Sequence, residues 1–246
     1  MGGGRGHKDE AGTPDMLAGK CVVAIAAGLM ASLAADGAQA SETPPDILTS
    51  YAACTDREAD SAARLGYCTS LVSLVEAGNL TRAEFRLRDP YVARASIHHD
   101  ANRNQEALSD LDKAVHRLQI DSGKPLGKKR DVFPDYYVYL LRGQVQFELG
   151  RYEAAIGSLQ QAESLTRVGK IGKSARKQAQ VQIDILSGAA YGRIGRMSEG
   201  LYAVDKAIAQ DRGSAAAYRT RAEIYEAMGQ TEAAAADKVR AADLSD

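Results

Sequence analysis

Sixteen positions between Ala95 and Ala241 constrain this chain more than any others. They form four sets with one internal spacing of seven, five and seven: Ala95, Asn102, Ala107, Ala114; Gly143, Gly150, Ala155, Ala162; Gly188, Gly195, Gly200, Ala207; and Ala222, Gly229, Ala234, Ala241. Fifteen of them are Ala or Gly, residue types that make up about a quarter of the chain. Such periodicity governs the fold before any local preference does. A helix-interior glycine costs about 1 kcal/mol relative to alanine, so Gly143 within "RGQVQFELGRYEAAIGSLQQAESL" needs a packing reason. The spacing gives one. The second member of each set sits at a turn, where Gly or Asn tolerates left-handed backbone. The first lies where one helix meets the next, and the last two lie two turns apart on one face of the second helix.

The last set also carries large residues at fixed offsets. In "AAAYRTRAEIYEAMGQTEAAAADKVRAADLSD", Tyr218 precedes Ala222 by four and Tyr225 precedes Gly229 by four. Tyr91 and Tyr139 hold the place of Tyr218 in the first two units, whereas the third departs with Asp184. The step from Gly195 to Gly229 is 34. These features resemble the tetratricopeptide repeat (TPR) family over about residues 88–246. The resemblance implies an all-α, right-handed α-solenoid of about four helix pairs, and a binding scaffold rather than an enzyme. It also implies a concave groove lined by first helices. The 4-3 spacing places Val92, Ser96 and His99, then Leu140, Gln144 and Phe147, then Ile185 and Ala189, then Arg219, Glu223 and Glu226 on that groove. Some family members clamp a C-terminal carboxylate there with Lys and Asn; these positions lack that set, so the activity is not carried over. A protein or peptide partner, extended or helical, suits the mixed lining. A bland, solvated groove is the alternative.

The other two steps, 48 and 45, exceed 34 by 14 and 11 residues. The extra residues fall near 119–132, "QIDSGKPLGKKRDVF", and near 167–178, "TRVGKIGKSARKQ". Both are expected in connections on one edge of the solenoid. Lys128, Lys129 and Arg130 with Lys170, Lys173 and Lys177 make a candidate basic patch, and Arg167, Lys170, Lys173 and Lys177 share one helical face by spacing. The functional reading is an anionic partner; the plain one is solvated connectors. Over the whole chain 31 basic residues balance 32 acidic ones, so no overall field selects nucleic acid.

Upstream, "KCVVAIAAGLMASLAADGAQA" places Lys20 before an apolar run of about 14 residues that ends in Ala38-Gln39-Ala40. That is the tripartite export-signal pattern, with residues 1–40 removed before Ser41 and Met16 as the true start. The run is shorter than the roughly 20 residues of a membrane span, though an uncleaved Val22–Ala35 anchor remains the alternative. The expected location is the bacterial periplasm. The exported chain keeps Cys54 and Cys68, and an even pair in an oxidising compartment reads as a disulfide. Residues 41–87 then form a disulfide-linked helical cap, similar to the paired-cysteine lead-in of exported bacterial TPR proteins.

Chemistry is sparse. His98, His99 and Asp100 are a possible metal-ligand cluster, but adjacent histidines diverge by about 100° on a helix. Gly172-Lys173-Ser174 lacks the rest of a phosphate-binding loop, and Ser174 with Lys177 lacks partner motifs. No catalytic, cofactor or metal site is assigned. Self-association through the last helix is a further expectation. Arg94 with Asp110, and Arg221 with Asp237, each 16 apart, read as exposed helix-to-helix ion pairs.

Overall fold

The structure, a computed structural model, describes residues 46–80, 85–121, 132–169 and 171–245. They form ten α-helices and no strand, as the all-α solenoid requires. Two short helices come first, α1 (Ile47–Thr55) and α2 (Ser61–Glu76). Asp46 caps α1 by accepting from the Leu48 amide, and Asp60 caps α2 by accepting from the amides of Ala62 and Ala63, which satisfies N–H groups that no helical carbonyl reaches. Cys54 and Cys68 join the two helices through a disulfide with Cα atoms 4.9 Å apart, and both residues are fully buried. The export segment lies outside the described residues. Among the helices described, none is long and apolar enough to cross a membrane.

Four helix pairs follow: α3 (Asp89–Asp100) with α4 (Asn104–Asp121), α5 (Asp135–Glu148) with α6 (Tyr152–Val168), α7 (Lys173–Arg193) with α8 (Met197–Gln210), and α9 (Ala215–Ala227) with α10 (Thr231–Asp243). Their four internal turns are the same object. Asn102, Gly150, Gly195 and Gly229 have φ of 57°, 72°, 80° and 74°. In each turn the following amide reaches a carbonyl five residues back: Arg103 to His98, Arg151 to Gln146, Arg196 to Tyr191, Gln230 to Tyr225. This closes the helix end with the bonding of a Schellman motif.

The other twelve small residues are all buried. A Cβ added at Gly143 meets Leu159 Cγ at 2.8 Å, whereas one added at Gly188 overlaps Val204 Cγ2 and comes within 3.0 Å of the Gly200 carbonyl. Leu159 has a flexible side chain; the branched Val204 and the backbone beside it do not give way. Gly188→Ala is therefore expected to destabilise by about 1–3 kcal/mol despite the better propensity of alanine. Gly157, exposed on α6 with nothing near its Cβ position, is the control. Gly157→Ala should stabilise by up to about 1 kcal/mol. Urea unfolding midpoints of the two variants on opposite sides of the wild type are the expected result.

Ion pairs lock the pairs further. Arg94 grips Asp110 through Nε and Nη2 (2.8 and 2.6 Å), and Arg221 grips Asp237 in the same way (2.7 and 2.8 Å). The carboxylates are buried rather than exposed as the spacing alone implied, because Asp110 and Asp237 sit on the inward face of their helices among the small residues. Arg142 reaches back to Asp112 and Arg221 to Asp205, each at 2.7 Å, which ties α5 to α4 and α9 to α8.

The third unit's departure has its own partners. Asp184, buried where other units carry Tyr, accepts from Lys206 (2.9 Å), Gln210 (3.1 Å) and Gln180 (3.1 Å). Burial pushes its carboxyl above the ordinary value, while the bonds from Lys206 and Gln180 pull it back. Lys206→Met removes the larger part of that pull and leaves a buried carboxylate facing an apolar chain, with Gln180 and Gln210 as its remaining donors. Lys206 is itself about a third exposed, so the expected loss is about 1–3 kcal/mol at pH 7. A folded-state pKa above the unfolded one means that acidification favours the folded form as Asp184 takes up its proton. The deficit of the variant, measured by urea unfolding, should shrink between pH 7 and pH 5. A deficit unchanged across that range would contradict it.

Candidate functional site

The first helices approach one another in succession, α3 with α5, α5 with α7 and α7 with α9, whereas among the described residues the backbones of α4, α6, α8 and α10 stay apart, and Lys206 reaches Glu163 across α8 and α6 only by its long side chain (3.5 Å). The row in mutual contact is the tighter, inner face of the curve. Of the residues expected there, Arg219, Glu223 and Glu226 are exposed, and Ser96, His99, Gln144, Phe147, Ile185 and Ala189 are half-buried. Leu140 is 5% exposed yet forms part of a cavity wall. Val92 does not line the groove: at 0% exposure it belongs to the core shared by cap and solenoid.

Three sections of the inner face differ in chemistry. Between α3 and α5, His99 Nε2 lies 2.9 Å from Glu148 Oε1, and Asn104 donates to Glu148 Oε2 at 3.0 Å. His98 turns away from its neighbour. Its Nδ1 accepts from Arg103 Nε at 2.9 Å, and burial holds its pKa below the usual value. The adjacent histidines thus diverge, and among the described residues no group of three His, Cys, Asp or Glu is placed to hold a metal.

Between α7 and α9 lies a cleft of about 250 Å³ walled by Ala189, Gly192, Thr220 and Ile224. Arg193 and Glu223 pair across it at 3.4 Å. It adjoins a second cavity of about 440 Å³ between α9 and α10, where Arg219, Glu226 and Lys238 gather and Glu226 accepts from Lys238. These are exposed charges in mixed company, and such a pair contributes about 0–1 kcal/mol.

The third section joins α5 to α7. Here Tyr136, Tyr137 and Leu140 face Ala175, Gln178 and Gln182 across a cavity of about 250 Å³, and Arg57 from the α1–α2 loop closes one side. Of this section sequence reasoning named only Leu140, because it placed the residues near 167–178 in a connection. The structure makes most of them helix. Gly169 and Gly172 end α6 and open α7, and α7 then runs 21 residues, against 12 to 14 for the other first helices. The break also corrects the expected cationic face: Arg167 belongs to α6, where it pairs with Glu163, while Lys173 and Lys177 ride on α7. Lys128, Lys129, Arg130 and Lys170 lie outside the described residues. A signal was present, since "KSARKQAQVQI" contains neither Gly nor Pro and keeps helical spacing back to Gly172.

A larger apolar cleft of about 880 Å³, lined by Ile47, Ala63, Tyr67, Leu71 and Leu74, opens on the cap between α1 and α2. Sequence reasoning did not foresee it.

The paired helices, their repeated turns and the curved inner row define a helical-repeat solenoid of the class that presents a preformed surface to other molecules. A family model of the tetratricopeptide repeat matches residues 136–168, which span α5 and α6. The other three pairs repeat the turns and small-residue packing of that matched pair, so the fold is an α-solenoid of TPR-like units. No curated protein sequence matches the chain. Among solved structures it is similar to MamA 41-end from Desulfovibrio magneticus RS-1, with 15% identity over 81% of this chain and 96% of that one and a TM-score of 0.59. A MamA RS-1 ArsTM double mutant gives 13%, 81%, 95% and 0.57. Another crystal structure of MamA gives 18%, 80%, 91% and 0.55. At these identities the likeness is one of fold.

Proposed function

We propose that this protein is a non-enzymatic scaffold of the bacterial cell envelope that holds a protein partner by an extended or helical segment laid along the inner row of helices. One observation carries the reading: the first helices form a continuous, preformed face with both apolar and polar side chains open to solvent. A rigid surface limits the ordering cost of binding. Export is supported by the tripartite segment before Ser41 and by the buried disulfide, a bond rare in reducing compartments. A mature chain beginning at Ser41 supports release into the periplasm; one retaining Val22–Ala35 supports a tether.

A random dodecapeptide library on beads tests the groove. Ala189→Arg fills the cleft between α7 and α9 and should cut capture at least about tenfold, a 1.4 kcal/mol effect, with unfolding unchanged. Tyr202→Arg, on the exposed face of α8, should leave capture intact. The opposite pattern rejects the groove as the binding face.

A further inference from the structure

The α1–α2 loop reaches beyond its own pair of helices. It is closed by the Cys54–Cys68 disulfide, and from within it Arg57 extends over two rings at the start of the second unit. Its guanidinium carbon is 5.6 Å from the Phe133 ring centroid and 5.5 Å from that of Tyr137. The rings are stacked on each other at 5.8 Å. Phe133 is held in turn by the fully buried Arg88, which donates to its carbonyl at 2.6 Å. Arg57 is therefore aimed into the section of groove between α5 and α7 by a covalent loop on one side and an aromatic platform on the other.

Among the described residues Arg57 makes no ion pair. Its loop neighbours Asp56 and Asp60 are turned to backbone amides, of Glu58 and of Ala62 and Ala63. Across the cavity, the first eleven residues of α7 contain no carboxylate. A guanidinium with no ion pair among the described residues draws an opposite charge, and its fork offers a carboxylate two parallel hydrogen bonds. Beside Arg57, Tyr137 and Leu140 provide an apolar wall, and Gln178 and Gln182 carry amides suited to a peptide backbone.

We infer that this section selects a peptide segment in which an acidic side chain stands next to an apolar one, with the carboxylate taken by Arg57 and the apolar side chain laid against Tyr137 and Leu140. The inference rests on the groove reading above and names the partner chemistry for it. It also gives the disulfide a second task, that of holding Arg57 over the groove.

The same dodecapeptide library, with the full chain as bait, tests it. Wild type should enrich peptides with Asp or Glu within two residues of an apolar residue. Arg57→Gln should still capture peptides but lose the acidic preference, and Arg57→Glu should shift it toward Lys and Arg. A selected peptide should bind Arg57→Gln about fivefold more weakly, and Arg212→Gln, a distant exposed cation, as wild type does. Its affinity should fall as salt screens the pair. Reduction with dithiothreitol should bring wild type to the level of Arg57→Gln. Capture blocked by Ala189→Arg but indifferent to Arg57 overturns this inference and leaves the groove reading standing. Capture of nothing by any variant sinks both. Binding to phosphatidylglycerol vesicles with no acidic preference among peptides overturns it in favour of a lipid surface.

Discussion

Replacing Arg88 by Met should cost about 3–5 kcal/mol, the largest loss expected from any single substitution in this protein. Arg88 precedes α3 and has no exposed surface. It donates to Asp135 in the first turn of α5 and to the Phe133 carbonyl, and lies 3.5 Å from Asp89. One side chain thus fastens the starts of two first helices that are about 47 residues apart in sequence. Methionine fills most of the volume, so the loss reports charge and hydrogen bonds rather than a cavity. The substitution strands the Phe133 carbonyl and leaves Asp89, itself 2% exposed, beside an apolar chain. Tyr51 still donates to Asp89 at 2.6 Å, which limits the damage. Arg88→Lys keeps the charge without the fork and should fall between. Equal urea midpoints for wild type and Arg88→Met would contradict the role given to this residue.

Loss of the disulfide should come next. Joining Cys54 to Cys68 closes a loop of about 15 residues, worth about 3 kcal/mol in the chain-entropy model. The paired variant Cys54→Ala/Cys68→Ala forfeits that. The effect should be local, since among the described helices the backbones of α1 and α2 come close only to each other and to α3. Hydrogen exchange reads it directly. Amides of α1 and α2 should lose protection by orders of magnitude, whereas those of α7 to α10 keep theirs. Uniform loss along the chain would mean that cap and solenoid unfold as one unit.

The repeating part of this fold was open to inspection in the sequence because close helix approach forbids bulk. Twelve small residues and four turn residues mark it without reference to anything distant in the chain. The pairing of Arg94 with Asp110 and of Arg221 with Asp237 was legible for the same reason. Their burial was less so, although Asp110 lies on the stripe of Ala107, Leu111 and Ala114. What stayed hidden depends on which elements meet. Nothing near Val92 announces that it joins the core shared with the cap, and nothing near Arg57 announces Phe133 and Tyr137, some 80 residues on. Asp184 shows the same limit. Its departure from tyrosine was visible, but the lysine and two glutamines that receive it lie on two different helices.

The position of Arg57 inside a covalent ring has a thermodynamic corollary. Two events that share one ordered segment are coupled, and coupling of binding equilibria runs equally in both directions. If opening the ring weakens the grip on a carboxylate by some factor, then a seated carboxylate makes the thiols harder to obtain by that same factor. An occupied scaffold would therefore resist reductants better than an empty one, so the sulfur chemistry of the cap records whether the groove is in use.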